Sequence, residues 1–112
     1  MKEQMIDPPK FDTIAADNAV VHPDIICYFT LIDAHKAVYN VDNLGESLLK
    51  LIETTIRQEV GKQNSDNLIT SRQQIGLTVQ EELEKATESW GTKIIRVEIQ
   101  DIKFEESLQD NL

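Results

Sequence analysis

The sequence predicts an α+β domain, a small antiparallel sheet with helices packed on it. Three observations predict it. "AVVHPDIICYFTLID" (19–33) is dense in Val, Ile, Tyr, Phe and Thr, residues that suit a pleated strand. Two later stretches, 43–61 and 70–90, repeat apolar residues about every four positions, the period of a helix with one buried face. After Gly91 the rhythm changes to alternation, the period of a half-buried strand.

Each element follows in order. In "IDPPKFDTIAADN" (6–18), Pro8 and Pro9 lack a backbone donor and belong at a sheet edge or in an extended lead-in. Phe11 to Ala15 suits a strand and Asp17-Asn18 a turn, so this segment and 19–33 read as a hairpin. Pro23 argues for a bulge or an edge position early in the second strand. Its later half shows no clean polar face beyond Asp24 and reads as covered on both sides. "AHKAVYNV" (34–41) suits a short helix. Asn43, with Glu46 three residues on, is a capping-box start. Leu44, Leu48, Ile52, Ile56 and Val60 then form the stripe of a helix ending at Gly61, widened by Leu51 and Thr55. "KQNSDNLI" (62–69) is a loop or a single turn. Thr70 and Gln73 make a second capping-box pair, and Ile75, Val79, Leu83, Ala86 and Trp90 carry the next stripe. Trp90 is expected as a core anchor, and Gly91 as the left-handed residue that stops the helix. Ile95, Val97 and Ile99 are expected to point inward, and Arg96, Glu98 and Gln100 outward. No internal repeat or low-complexity tract interrupts this order.

Composition narrows the function classes. A chain of 112 residues with 40% hydrophobic and 28% charged residues is an ordinary single globular domain. Eleven Lys+Arg against 20 Asp+Glu give a formal charge of −9 and a pI near 4.6. Nucleic acid is a poor partner, because phosphate binding needs clustered cations and here the basic residues are scattered singly. An anionic lipid surface would repel the chain, so membrane attachment must come from other segments. Cys27 is the lone cysteine, which leaves no intrachain disulfide. No apolar run approaches the ~18 residues of a membrane span, and "MKEQMIDPPK" lacks the apolar core of a signal peptide.

The residues that could carry chemistry form incomplete sets. His22 and Asp24 share one face of a strand, as two metal ligands or a base and its orienter would. A zinc site wants at least three protein ligands, and no further His or Cys pattern completes the set. A surface histidine at an edge is the better reading, and His35 beside Lys36 reads as solvated. Cys27 between Ile26 and Tyr28 is a core thiol, raised in pKa and inert. Glycines 45, 61, 76 and 91 make no phosphate cradle. Glu81, Glu82, Glu84 and Glu88 fall on the solvent side of their helix, a solvated or partner-facing surface rather than a glycosidase pair. No catalytic residue, metal, cofactor or small-molecule substrate is assigned. Two rivals to a binding module stay open: a small enzyme or metal protein using His22, Asp24 and Cys27, and an acidic soluble adaptor.

Read as one string, Val41 to Ile102 resembles the second half of the stomatin/prohibitin/flotillin (SPFH, or band 7) domain, closest to the stomatin branch. The matching features are "TTIRQEVGK", Asp66 with Leu68, "SRQQI" and, most specific, "WGTKIIRVEIQDI". Upstream, "QMIDPPKFDTIAADN" and "ICYFTLIDAHKAVYNVDN" are similar to the family's earlier strands and short helix. His22 and Pro23 stand where the family has strand formers, Glu105 where it has proline, and Ser65 where it has leucine, which implies a loosely packed loop before Asp66. The resemblance implies an SPFH core over 1–103, lacking its first strands, and over 104–112 the start of a truncated C-terminal helix that leads into a coiled coil. It also implies a membrane-associated scaffold and not an enzyme, at the cytoplasmic face, with this stretch itself soluble. Its partners would be copies of itself and membrane proteins such as proteases or channels, with lipid contact through segments outside this chain. Thr70, Asn43, Trp90 and Gly91 would hold the shape. Arg57, Asp66, Arg72, Glu81, Glu84 and Glu88 would form the contact surface.

Overall fold

A computed structural model describes residues 3–40 and 43–105. Four strands and four helices run in the order β1 (Glu3–Ile6), β2 (Thr13–Ile14), β3 (Val20–Leu31), α1 (Ala34–Asn40), α2 (Leu44–Gly61), α3 (Ser65–Leu68), α4 (Arg72–Thr87) and β4 (Thr92–Phe104). A single 3-10 turn, Glu88–Trp90, joins α4 to β4. The fold is the α+β class that the sequence predicts, an antiparallel sheet with helices.

β3 is the centre of the sheet. β4 pairs with it along one side, and β1 and β2 share the other. Ile6 stands opposite Cys27 and Thr13 opposite Val21, so residues 7–12 pass residues 22–26 with one residue more than their partner segment. β1 and β2 are therefore two ends of one edge strand, interrupted where Pro8 and Pro9 offer no N–H to a ladder. Pro23 lies in the interval that neither end pairs. The hairpin turn closes with Asn18 at φ 67°, and its N–H donates to the Ala15 carbonyl at 2.9 Å. Of the expected strand at 11–15, the two residues Thr13 and Ile14 pair. The Glu3–Ile6 strand carries no apolar alternation and was not expected.

β3 buries Val21, Ile25, Cys27 and Phe29 on one face, while His22, Ile26 and Tyr28 on the other remain half-buried. Its second half is covered on one face, not two. β4 corrects a second expectation. Thr92, Ile94, Val97, Ile99 and Ile102 are its buried residues. A strict alternation cannot put both Ile94 and Val97, or both Ile99 and Ile102, on one face. Two bulges do so: Tyr28 faces Arg96 while Phe29 faces Ile94, and Asp24 faces Asp101 while Ile25 faces Ile99. Ile95 and Gln100 are the extra residues, and each flips the phase of the strand. Ile95 is thus half-buried, and Ile94 takes its place in the core. The strand runs on through Phe104, paired with Val21, so the first residue expected in a downstream helix is a strand residue. Residues 106–112 lie outside those described.

α2 follows its stripe. Leu48, Ile52, Thr55, Ile56 and Val60 are buried, with Leu44 and Leu51 packed beside them. The Asn43 side chain accepts the Glu46 N–H at 3.2 Å, which satisfies one of the donors a helix start leaves open. At the other end Gly61 is not left-handed; Lys62 closes the helix with its N–H on the Glu59 carbonyl. The single turn α3 is tied to the hairpin. The Ser65 hydroxyl donates to Asp17 at 2.7 Å, and its N–H reaches both Asp17 oxygens at 3.3 Å. The hydroxyl bond is the main cause that holds the Asp17 carboxyl below its ordinary range. Ser65 therefore ties the loop before Asp66 to the hairpin with a polar clasp, where the resemblance implies loose packing.

α4 departs from its expected start. Ser71 is the N-cap and makes no side-chain cap bond. The Thr70 hydroxyl donates backward to the Asn67 carbonyl at 3.0 Å. Ile69 is already helical, so the chain enters α4 without the extended residue that a capping side chain needs. Ile75, Val79 and Leu83 are buried as the stripe predicts. The next buried position is Thr87 and not Ala86, which is exposed. Thr87 is tolerated there because its hydroxyl donates to the Leu83 carbonyl at 2.7 Å. Among the described residues no helix is long and apolar enough to cross a membrane.

Candidate functional site

The Trp90–Gly91 corner is a structural joint. Trp90 ends the 3-10 turn, which lies against α1, and is half-buried outside the core cluster. The expectation of a core anchor is corrected: the turn rotates Trp90 off the α4 stripe. Gly91 has φ 64° and ψ 28°. Its carbonyl accepts the N–H groups of Ile32 at 2.7 Å and Asp33 at 3.0 Å, which locks the exit of β3 to the start of β4.

The six expected contact residues are all exposed, but the fold does not gather them into one patch. Arg57 stays on α2, its guanidinium 5.3 Å from the centre of the Phe11 ring and 3.8 Å from Glu53. Asp66 sits in α3. Arg72, Glu84 and Glu88 line two grooves along α4 and β4, which Arg57, Asp66 and Glu81 do not reach.

The two grooves lie end to end along this flank. The first, about 570 Å³, lies between α4 and β4 and includes Arg72, Gln73, Leu77, Gln80 and Arg96. Here β4 has no neighbouring strand among the described residues, and side chains of α4 stand in for one. The Gln80 carboxamide accepts the Val97 N–H at 3.4 Å and donates to the Ile95 carbonyl at 3.5 Å. Arg72 donates to the Gln100 carbonyl at 3.2 Å. Gly76 lies buried against β4 here, and a Cβ in its place would meet the Val97 carbonyl oxygen at 3.4 Å, an ordinary van der Waals contact. The second groove, about 310 Å³, continues past Glu84, Glu88, Lys93 and Ile32. Sequence reasoning missed Gln80 and Leu77. Gln73, Leu77, Gln80 and Glu84 recur at spacings of four, three and four, so their common side of the helix was readable.

A third groove, about 660 Å³, runs between the proline segment and β3, around His22. His22 does not pair with Asp24 there; its Nδ1 lies 2.7 Å from Asp12 Oδ1. The lining offers Asp7, Lys10, Asp24 and Lys103 beside three prolines, but no Ser, Thr or Cys that could act as a nucleophile. Among the described residues no group of three or more His, Cys, Asp or Glu could hold a metal ion. Cys27 is buried, and burial pushes its thiol up to about 11, leaving little thiolate near neutral pH. His22→Ala is therefore expected to fold normally. Calorimetry with zinc should show no stoichiometric binding by the unmodified chain; tight binding that vanishes in this variant would restore the metal-protein reading.

Comparison with known proteins agrees with this architecture. The sequence profile described as SPFH domain / Band 7 family matches residues 1–112. An uncharacterized protein of Methanothermobacter thermautotrophicus is 39% identical over 103 residues, covering 92% of this chain and 32% of that protein. A stomatin homolog of Pyrococcus horikoshii is 31% identical over 109 residues, covering 97% of this chain and 41% of its own. The human mitochondrial stomatin-like protein 2 is 29% identical over 113 residues, covering 97% and 32%. The chain thus spans well under half the length of these relatives. With a match along its whole length and a sheet-and-helix core of the expected class, the chain belongs to the SPFH domain / Band 7 family.

Proposed function

We propose that this chain is the stomatin-like domain of a membrane-associated scaffold, an assembly and partner-binding module rather than an enzyme. The observation that carries the reading is the family match over residues 1–112, with relatives named as stomatin homologs. In the longer protein, segments outside this chain hold the membrane, a downstream coiled coil gathers the copies, and the partners are membrane proteins such as proteases or channels.

The energetics suit such a division. Free association must overcome about 4–15 kcal/mol of lost translational and rotational freedom. Chains of net charge −9 also repel one another. Tethering to a membrane and a shared coiled coil raises the effective concentration, so weak contacts between domains suffice. The 112-residue chain is expected to sediment as a monomer or weak dimer. Extension by its native downstream helix should shift it to higher oligomers at matched salt. A discrete large ring from the short chain would place the driving force in the core, and no shift on extension would overturn the scaffold reading.

A further inference from the structure

We propose that the groove between the proline segment and β3 is a docking site for an extended segment of a partner protein that carries an acidic and a basic side chain two residues apart. The inference rests on the partner-binding reading above and gives the partner's chemistry.

The sheet register orders the charges of this groove. On the face of β3 away from the core, His22 stands opposite Lys103 and Asp24 opposite Asp101. Asp7 follows the Ile6–Cys27 pair and Asp12 precedes the Thr13–Val21 pair, with Lys10 between them. Asp12 is taken up by His22, 2.7 Å away. Positive charge therefore gathers toward β2, in Lys103 and Lys10, and negative charge toward β1, in Asp24, Asp101 and Asp7. Among the described residues, none of Asp7, Lys10, Asp24 and Lys103 forms an ion pair. The next charges along this face lie outside the lining. Glu98 is held by Arg96 at 2.8 Å, and Glu105 stands beyond Phe104, its N–H on the Val20 carbonyl.

This order selects the occupant. The two rows of charge are two residues apart on extended strands, a separation of about 6.6–6.8 Å. An extended chain repeats its same-face side chains at that interval, so an acid and a base two residues apart meet both rows at once. A wholly acidic segment is repelled by Asp24 and Asp7, and a wholly basic one by Lys103 and Lys10. The backbone favours the same form. Residues 22–26 of β3 have no ladder partner on the side of the proline segment. An extended segment can bond through its main chain, whereas a helix satisfies its own. Pro8, Pro9 and Pro23 supply an apolar wall whose fixed φ leaves little to order on binding. The groove's 660 Å³ is the size of a ligand site. Exposed charges make the contact weak, of the kind that tethering makes sufficient.

NMR titration of the 112-residue chain at low salt, where surface charges are least screened, tests it. The probe is the blocked peptide Thr-Glu-Thr-Lys-Thr. It should shift the signals of residues 7–10, 22–24 and 103 with a Kd on the order of 1 mM. Peptides with two Glu or two Lys in those places should bind about threefold or more weaker. Thr-Glu-Thr-Thr-Lys, whose charges fall on opposite faces of an extended chain, should be weakened similarly. Lys10→Glu with Lys103→Glu should weaken the original peptide about fivefold and make the two-Lys peptide the better ligand. Both lysines are exposed, so the variant should fold normally. No localised shift at about 10 mM peptide, equal binding of a like-charged or respaced peptide, or an unchanged preference in the double variant would overturn the proposal. So would equally tight binding of ε-aminocaproate, which carries both charges on a free small molecule. If the native downstream helix still brings the chain to higher oligomers while no peptide binds, this groove falls and the scaffold reading stands. If the peptide binds as expected but that extension adds no higher oligomer, the scaffold reading falls alone.

Discussion

Gly91→Ala is expected to lose about 3–4 kcal/mol of stability, and Gly91→Val more. A left-handed backbone costs an L-residue about 1–2 kcal/mol, and Gly91 sits at φ 64°. The larger obstacle is space. A Cβ at Gly91 would lie 2.2 Å from the Asp33 carbonyl oxygen and 2.9 Å from the Asp33 Cβ. The corner must therefore open, releasing the two hydrogen bonds by which Ile32 and Asp33 hold the Gly91 carbonyl. Each is worth about 1 kcal/mol. Against a typical domain stability of about 5–15 kcal/mol, this is a large fraction. Gly91→Asn separates the two causes, because asparagine tolerates the left-handed region but still carries a Cβ. Urea midpoints should drop for Asn roughly half to two-thirds as far as for Ala, the part owed to the lost hydrogen bonds. An Asn variant within a few tenths of a kcal/mol of the unmodified chain would mean that the close approach to Asp33 contributes nothing.

Local chemistry made most of the fold legible in the sequence. The α2 stripe and its Asn43 start are set by residues within one helix, so pattern alone identifies them. The Asp17-Asn18 turn is similar, because Asn18 is a residue type that accepts the positive φ found there. What stayed hidden depends on partners distant in the chain. Glu3–Ile6 becomes a strand because β3 offers an edge, not because its own residues alternate. The bulges at Ile95 and Gln100 arise from the register of β4 on β3, although the unequal intervals between Ile94, Val97, Ile99 and Ile102 hinted at them. Thr70 matched a capping pattern and lost the role because α3 delivers the chain to α4 already helical. At the candidate site, the charges of Arg72, Glu84 and Glu88 were visible. The groove was not, since it is made by β4 lying along α4.

Leu83→Ala should cost about 3–5 kcal/mol, whereas Trp90→Ala should cost about 2 kcal/mol or less, reversing the order that side-chain size suggests. Leu83 is fully buried in the cluster that joins α4 to the sheet. Truncating it removes the transfer free energy of its methyl groups and leaves a cavity that surrounding helices and strands cannot fill. Trp90 is larger, but part of its surface already meets water, and its turn packs on the short helix α1 rather than on the core. Its removal forfeits only the apolar area it covers, at about 25 cal/mol per Å², and solvent can enter the space it leaves. Guanidinium denaturation of both variants decides the matter, with circular dichroism to show that each still folds. A Trp90→Ala loss equal to or larger than that of Leu83→Ala would return the tryptophan to the core and move the organising contact of the domain from α4 to the corner.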